Sequence, residues 1–221
     1  MDDSEYKKAI DFLYSFVDYE RGSKWKYNDA YFDLRFSGIA IERTTLDTTT
    51  TYIGIQLKGI CRGFNFDIQR IEGFGTALFL GDTAANSSNA YHYIRLGYIV
   101  KCNRGVVCWA GPSLGWCNDN VFIGGEFQST GEDGTLSVGI LLGGSAGCTT
   151  YPDTNVFMYP SFEKACSTNA SSGRAIYIQD GDANKFINVR LEQGAAEKIE
   201  PTVIHASSHD QSRSTAGSPA E

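Results

Sequence analysis

Several short segments of this chain close on an acid or an amide at the same offset, and paired carboxylates are the groups that cleave glycosidic bonds. Glu42, Glu72, Gln128, Glu163 and Glu192 each take the last place of such a segment, and Arg70, Glu126 and Arg190 each stand two residues before it. Glu126 and Glu163 form the most attractive catalytic pair, one able to donate a proton while the other acts as base on a water, as in inverting glycosidases. Tyr159 offers a flat face on which a sugar ring can stack. Arg70, Glu72, Gln128, Arg190 and Glu192 supply hydrogen-bonding groups for a candidate carbohydrate-binding row. The same residues fit a second role. A Glu that ends a strand before a turn can accept backbone N–H groups or pair with a nearby arginine, as Arg70/Glu72 and Arg190/Glu192 could.

What must position these residues is an internal repeat. The template has an aromatic two places after its start, an apolar residue at seven and Glu or Gln at eight. It is met by residues 34–42, 64–72, 120–128, 155–163 and 184–192, with a weaker copy from Tyr91. In that copy Tyr93 and Tyr98 take the aromatic and apolar places and Ile99 replaces the acid. The starts lie 30, 27, 29, 35 and 29 residues apart. Between the copies runs a second strand type, at residues 54–59, 76–81, 105–110, 139–144 and 175–180. Each segment is too short for a helix and is bounded by Gly, Asn, Asp or Ser.

Short strands repeating at about 30 residues predict an all-β solenoid, a right-handed parallel β-helix of about six coils over residues 34–195. Alternation turns Phe66, Ile71, Phe122, Phe127, Phe157, Phe162, Phe186 and Leu191 inward. The acid row then faces outward, with carboxylates on next-nearest coils roughly 10 Å apart. In the second strand type, Ile55, Ala77, Val106, Ile140 and Ile176 are expected inside. Leu78, Leu80, Val107, Trp109, Leu141 and Tyr177 are left outside. Such a row needs a cover: a subunit of a symmetric trimer, a loop such as residues 81–90, or a ligand.

The run Asn155-Val-Phe-Met-Tyr-Pro-Ser-Phe-Glu163, followed by Ala175-Ile-Tyr-Ile and Asn184-Lys-Phe-Ile-Asn-Val-Arg-Leu-Glu192, resembles the pectate-lyase-like superfamily. Within it the chain is most similar to bacteriophage tailspike and tail-fibre proteins. The resemblance implies a homotrimeric virion component, assembled in the bacterial cytoplasm, that binds host-surface polysaccharide. The alternative on the same scaffold is a polysaccharide depolymerase, a hydrolase or a lyase. A separate likeness covers residues 1–35: Phe12-Leu-Tyr-Ser-Phe-Val-Asp-Tyr-Glu20 and Asn28-Asp-Ala-Tyr-Phe-Asp-Leu-Arg35 are similar to the N-terminus of folylpolyglutamate synthases. Those enzymes need a phosphate loop ending Gly-Lys-Ser/Thr, which this sequence lacks, so ligase activity does not carry over.

Tyr6, Ala9 or Ile10, Leu13, and Phe16 or Val17 fall at helical spacing, which predicts an amphipathic helix within residues 1–33 that caps the open end of the solenoid. Residues 196–221 form a C-terminal extension, small and polar and expected to be disordered from about residue 206. A net charge of -7 argues against nucleic acid as a partner. No apolar run approaches the roughly 18 residues that span a bilayer, so no membrane insertion is expected. The opening Met1-Asp2-Asp3-Ser4-Glu5 is acidic where a secretory signal is basic, so no signal peptide is expected. The six cysteines form no CxxC pair and accompany only 3 histidines, which points to free buried thiols, Cys108 among them, and away from zinc. Asp180-Gly-Asp182-Ala-Asn184 opens like a calcium loop but lacks the later Gly and Glu, and reads as a tight turn. No cofactor or metal is expected.

Overall fold

A computed structural model describes residues 35–43, 52–83, 87–112, 115–128, 138–163 and 174–191. The chain passes through β1 (Arg35–Glu42), β2 (Ile53–Leu57) and β3 (Ile60–Arg62), then β4 (Asn65–Glu72), β5 (Thr76–Leu80) and β6 (Ser88–Ala90). It continues through β7 (Tyr93–Val100), β8 (Arg104–Ala110) and β9 (Trp116–Asn118), then β10 (Val121–Gln128) and β11 (Val138–Gly144). The last elements are β12 (Val156–Met158), β13 (Ser161–Glu163), β14 (Arg174–Ile178), β15 (Lys185–Ile187) and β16 (Arg190–Leu191). The expected N-terminal helix, the C-terminal extension and Glu192 lie outside the described residues.

The described residues are all-β. One sheet has the order β1-β4-β7-β10-β12-β15, with β13 and β16 continuing its last two rungs. A second has the order β14-β11-β8-β5-β2, and a third is β3-β6-β9, prolonged by the bridges Asn118–Asp153 and Asp153–Asp182. Each strand pairs in parallel with the equivalent strand of the next rung. Parallel neighbours require the chain to travel away and return between them. Here the return passes through the other two sheets, an arrangement compatible with a parallel β-helix.

The interior is built from rows of like side chains. In the first sheet Phe36, Phe66, Ile94, Phe122, Phe157 and Phe186 share one register, and Ile41, Ile71, Ile99, Phe127, Phe162 and Leu191 share another. Phe122 and Phe157 stack at 4.5 Å, and Phe157 and Phe186 at 4.9 Å. Two expectations need correction here. The third copy of the repeat begins at His92, not Tyr91, so Ile94 and Ile99 occupy the buried rows while Tyr93 and Tyr98 face solvent. Leu191 keeps its register with Phe162 but is 41% exposed, since no described strand covers the last rung.

The second sheet has inner rows Ile55–Leu78–Val106–Ile140–Ile176 and Leu57–Leu80–Cys108–Leu142–Ile178. Leu78 and Leu80 are therefore core residues and not part of the outward row, where Phe79 takes their place beside Val107, Leu141 and Tyr177. The reason is a row of small residues, Gly54, Ala77, Gly105, Gly139 and Ala175, which aligns Ala77 with the glycines and shifts that copy by one. A Cβ at Gly105 would collide with the Phe127 ring and the Gly139 carbonyl, and one at Gly139 with the Phe162 ring. Gly139→Val is accordingly expected to lower the urea midpoint by an amount equivalent to about 3 kcal/mol or more, through overpacking against Phe162. Within the outward row Val107 and Leu141 are only 2% and 5% accessible within the single chain, while Trp109 and Tyr177 are half-buried.

At the corner leading into the first sheet, Gly63, Tyr91, Asp119, Thr154 and Ala183 all adopt left-handed backbone, with φ between 51° and 72°. Such a residue costs a non-glycine about 1 kcal/mol and must be held by its surroundings. What holds it is the next residue of each coil: Phe64, His92, Asn120 and Asn155, all buried, and the half-buried Asn184 form a ladder. His92 Nδ1 accepts from the Phe64 N–H at 3.1 Å, and Asn120 Oδ1 accepts from the His92 N–H at 3.0 Å. Asn155 Oδ1 accepts from both the N–H and the side-chain amide of Asn120, and Asn184 Oδ1 does the same for Asn155.

Burial pushes the His92 imidazole down from 6.5 to about 3. Between those values the unfolded chain binds a proton that the folded chain refuses, so stability is full above pH 6.5 and falls as the pH drops toward 3. Going from pH 6.5 to pH 5 is expected to cost roughly 2 kcal/mol from this residue, at about 1.4 kcal/mol per pH unit. His92→Asn, which continues the ladder with a group that does not titrate, should flatten that slope in urea unfolding series.

Candidate functional site

The outward side chains of the first sheet come from strands fixed by the two buried rows. At its edge runs the row Ala40, Arg70, Tyr98, Glu126, Ser161 and Arg190. Beside it runs Glu42, Glu72, Val100, Gln128 and Glu163. The acid row is thus broken at the third rung by Val100, which is buried, and not by Ile99, which belongs to the core.

Glu126 and Glu163 do come together, though on adjacent rungs and not opposite one another. Glu126 lies in register with Ser161, and Gln128 with Glu163. The Gln128 side-chain amide donates to Glu126 Oε1 and, at 3.2 Å, to Glu163 Oε2. One amide therefore bridges the two carboxylates. Tyr159 breaks the fifth rung between β12 and β13 with φ 61° and is 58% exposed, its N–H donating to the Ile187 carbonyl at 2.8 Å.

At the other end Arg70 joins two rungs. Its Nε lies 3.0 Å from Glu42 Oε1 and its other nitrogen pairs with Glu72, while Lys101 Nζ is 3.5 Å from Glu72 Oε1. Partial burial works against the charge on Glu72, but the Arg70 hydrogen bond and the charges of Arg70 and Lys101 outweigh it and hold its carboxyl below the usual range. The Glu72 hydrogen bond in turn raises the Arg70 guanidinium further. Arg190 is exposed, in register with Ser161, and its expected partner Glu192 lies outside the described residues.

Tyr93 and Tyr98 are functional candidates that the one-residue slip had hidden. Tyr98 is 45% exposed and sits in register between Arg70 and Glu126. Tyr93 carries the Arg95 guanidinium 5.9 Å above its ring. The cue in the sequence was His92, a polar residue at the corner that Asn120, Asn155 and Asn184 occupy on later coils. The result is a rigid sheet surface with aromatic faces flanked by charged donors and acceptors, geometry suited to holding a sugar ring by stacking and by its hydroxyls.

The five described cysteines, Cys108 included, are free and buried, and burial pushes the Cys102 thiol up to about 12. Asp182 and Asn184 serve the corner, Asn184 as the end of the ladder. Among the described residues no helix is long and apolar enough to cross a membrane. In comparisons with known proteins, no family model, no curated protein and no solved structure matches this chain.

Proposed function

We propose that this chain is a virion-type tail-fibre or spike segment, a right-handed β-helix of about six coils that binds host-surface polysaccharide on the outer face of its largest sheet. The observation that carries the binding is Tyr98, exposed on a rigid strand with Arg70 on one neighbouring rung and Glu126 on the other. Tyr93, Tyr159, Glu72, Gln128, Glu163 and Arg190 extend the same surface. The virion setting and association in threes rest on the resemblance to tailspikes, since Val107 and Leu141 of the apolar row are already covered within the single chain. Light scattering checks the trimer: it requires three times the 24.2 kDa chain mass, and a monomeric mass excludes it.

Binding is tested by titration with capsular polysaccharide and lipopolysaccharide. Tyr98→Ala is expected to weaken it at least about tenfold, the loss of one stacked ring, without moving the thermal transition. The depolymerase reading is favoured by one observation, the neighbouring Glu126 and Glu163. It requires new reducing ends or unsaturated uronates during incubation, lost in both Glu126→Gln and Glu163→Gln. With Gln128 between the carboxylates, binding without cleavage is the expected outcome.

A further inference from the structure

Resting on that glycan-binding reading, we infer that the face around Tyr98 takes a neutral, hydroxyl-rich glycan and turns polyanions away. The aromatic platform sets where a sugar lies, and the charges around it set which sugar can lie there. On one side the cations already face carboxylates: Arg70 bridges Glu42 and Glu72, and Lys101 approaches Glu72. On the other side Glu126 and Glu163 share the Gln128 amide and, among the described residues, neither forms an ion pair. Arg95 also faces outward, but its guanidinium lies over Tyr93, five residues and roughly 16 Å along the strand from Tyr98.

A uronate or sulfate stacked on Tyr98 would bring its charge beside Glu126, and like charges in contact are disfavoured. A neutral hexose presents C–H groups to the ring and O–H donors at its rim. Glu126 and Glu163 each retain acceptor positions beyond the one Gln128 fills, because a carboxylate can accept about four hydrogen bonds. Hydroxyl donors can satisfy them without any cation. The overall charge of -7 adds a weaker repulsion of the same sign at long range.

The test is titration of the full chain with a neutral panel (dextran, mannan, galactan) and an anionic one (polygalacturonate, hyaluronate, polysialate), each at low and high sodium chloride. The expected result is binding confined to the neutral panel, with affinity changing by less than about twofold over a tenfold rise in salt, since no ion pair forms. Glu126→Lys should then open binding to polygalacturonate, strongest at low salt, with the thermal transition unchanged. Preference of the wild-type chain for an anionic polymer, weakened by salt, overturns this inference while leaving the glycan reading intact. Binding to neither panel, nor to the capsular and lipopolysaccharide samples, overturns the glycan reading itself.

Discussion

Replacing Phe157 by Ala is expected to lower the unfolding free energy by about 3–5 kcal/mol. Phe157 is 1% exposed and lies between Phe122 and Phe186, its ring within 3° and 7° of parallel to theirs. Phe157 stacks on a ring of the rung on either side, so a cavity at Phe157 opens the contact on both sides at once. The backbone around it is fixed by the ladder and cannot collapse far to fill the gap. Equilibrium urea unfolding measures the loss, and Phe157→Leu should recover more than half of it. A loss under about 1 kcal/mol would mean that the ring is not in the core, as a one-residue slip in register would produce.

Asn155→Ala is expected to cost a similar amount, about 3–5 kcal/mol, for a polar reason. Its Oδ1 accepts from the N–H of Asn120 at 3.2 Å and from the Asn120 amide at 2.9 Å. Its Nδ2 donates to the Cys117 carbonyl at 2.8 Å and to Asn184 Oδ1 at 2.9 Å. Truncation leaves the buried Asn120 N–H without its acceptor, at about 1–3 kcal/mol, and takes one bond each, at about 0.5–1.5 kcal/mol, from the Asn120 amide, the Cys117 carbonyl and Asn184 Oδ1, which keep their other partners. It also releases the left-handed Thr154 corner that the ladder steadies. Asn155→Asp separates the contributions: it keeps the acceptor, loses the donor and places a charge beside Asn184 Oδ1, and should be no more stable than the alanine variant. Wild-type stability in either variant would show that the ladder is incidental to the fold.

The register of most coils was legible because Phe recurs at one offset and Glu or Gln at another, and a period of two then fixes which side each residue faces. It failed at β7, where Tyr93-Ile94 and Tyr98-Ile99 each offer two strand formers side by side. Hydrophobicity does not choose between Tyr and Ile there; the packing of Ile94 against Phe66 and Phe122 does. It failed again at β5, where Thr76 was matched to glycines that Ala77 matches sterically. Alternation also predicts the side of a sheet and says nothing of its cover, so Val107 and Leu141 were placed outward without their burial being foreseen. At the site, the nearness of Glu126 and Glu163 followed from the acid row. The Gln128 amide between them did not, because it depends on a side-chain rotamer and not on spacing.

Hydroxyl-radical footprinting of the tyrosines, with and without a bound polysaccharide, tests most directly the claim that the outer face of the first sheet holds glycan. In the free chain Tyr93, Tyr98 and Tyr159 should label readily, as should Tyr52 and Tyr151, which are exposed but lie off that face. On addition of polysaccharide, labelling of Tyr98 and Tyr93 is expected to fall while that of Tyr52 and Tyr151 is unchanged. Binding that protects Tyr52 or Tyr151 and leaves Tyr98 as reactive as before would contradict it.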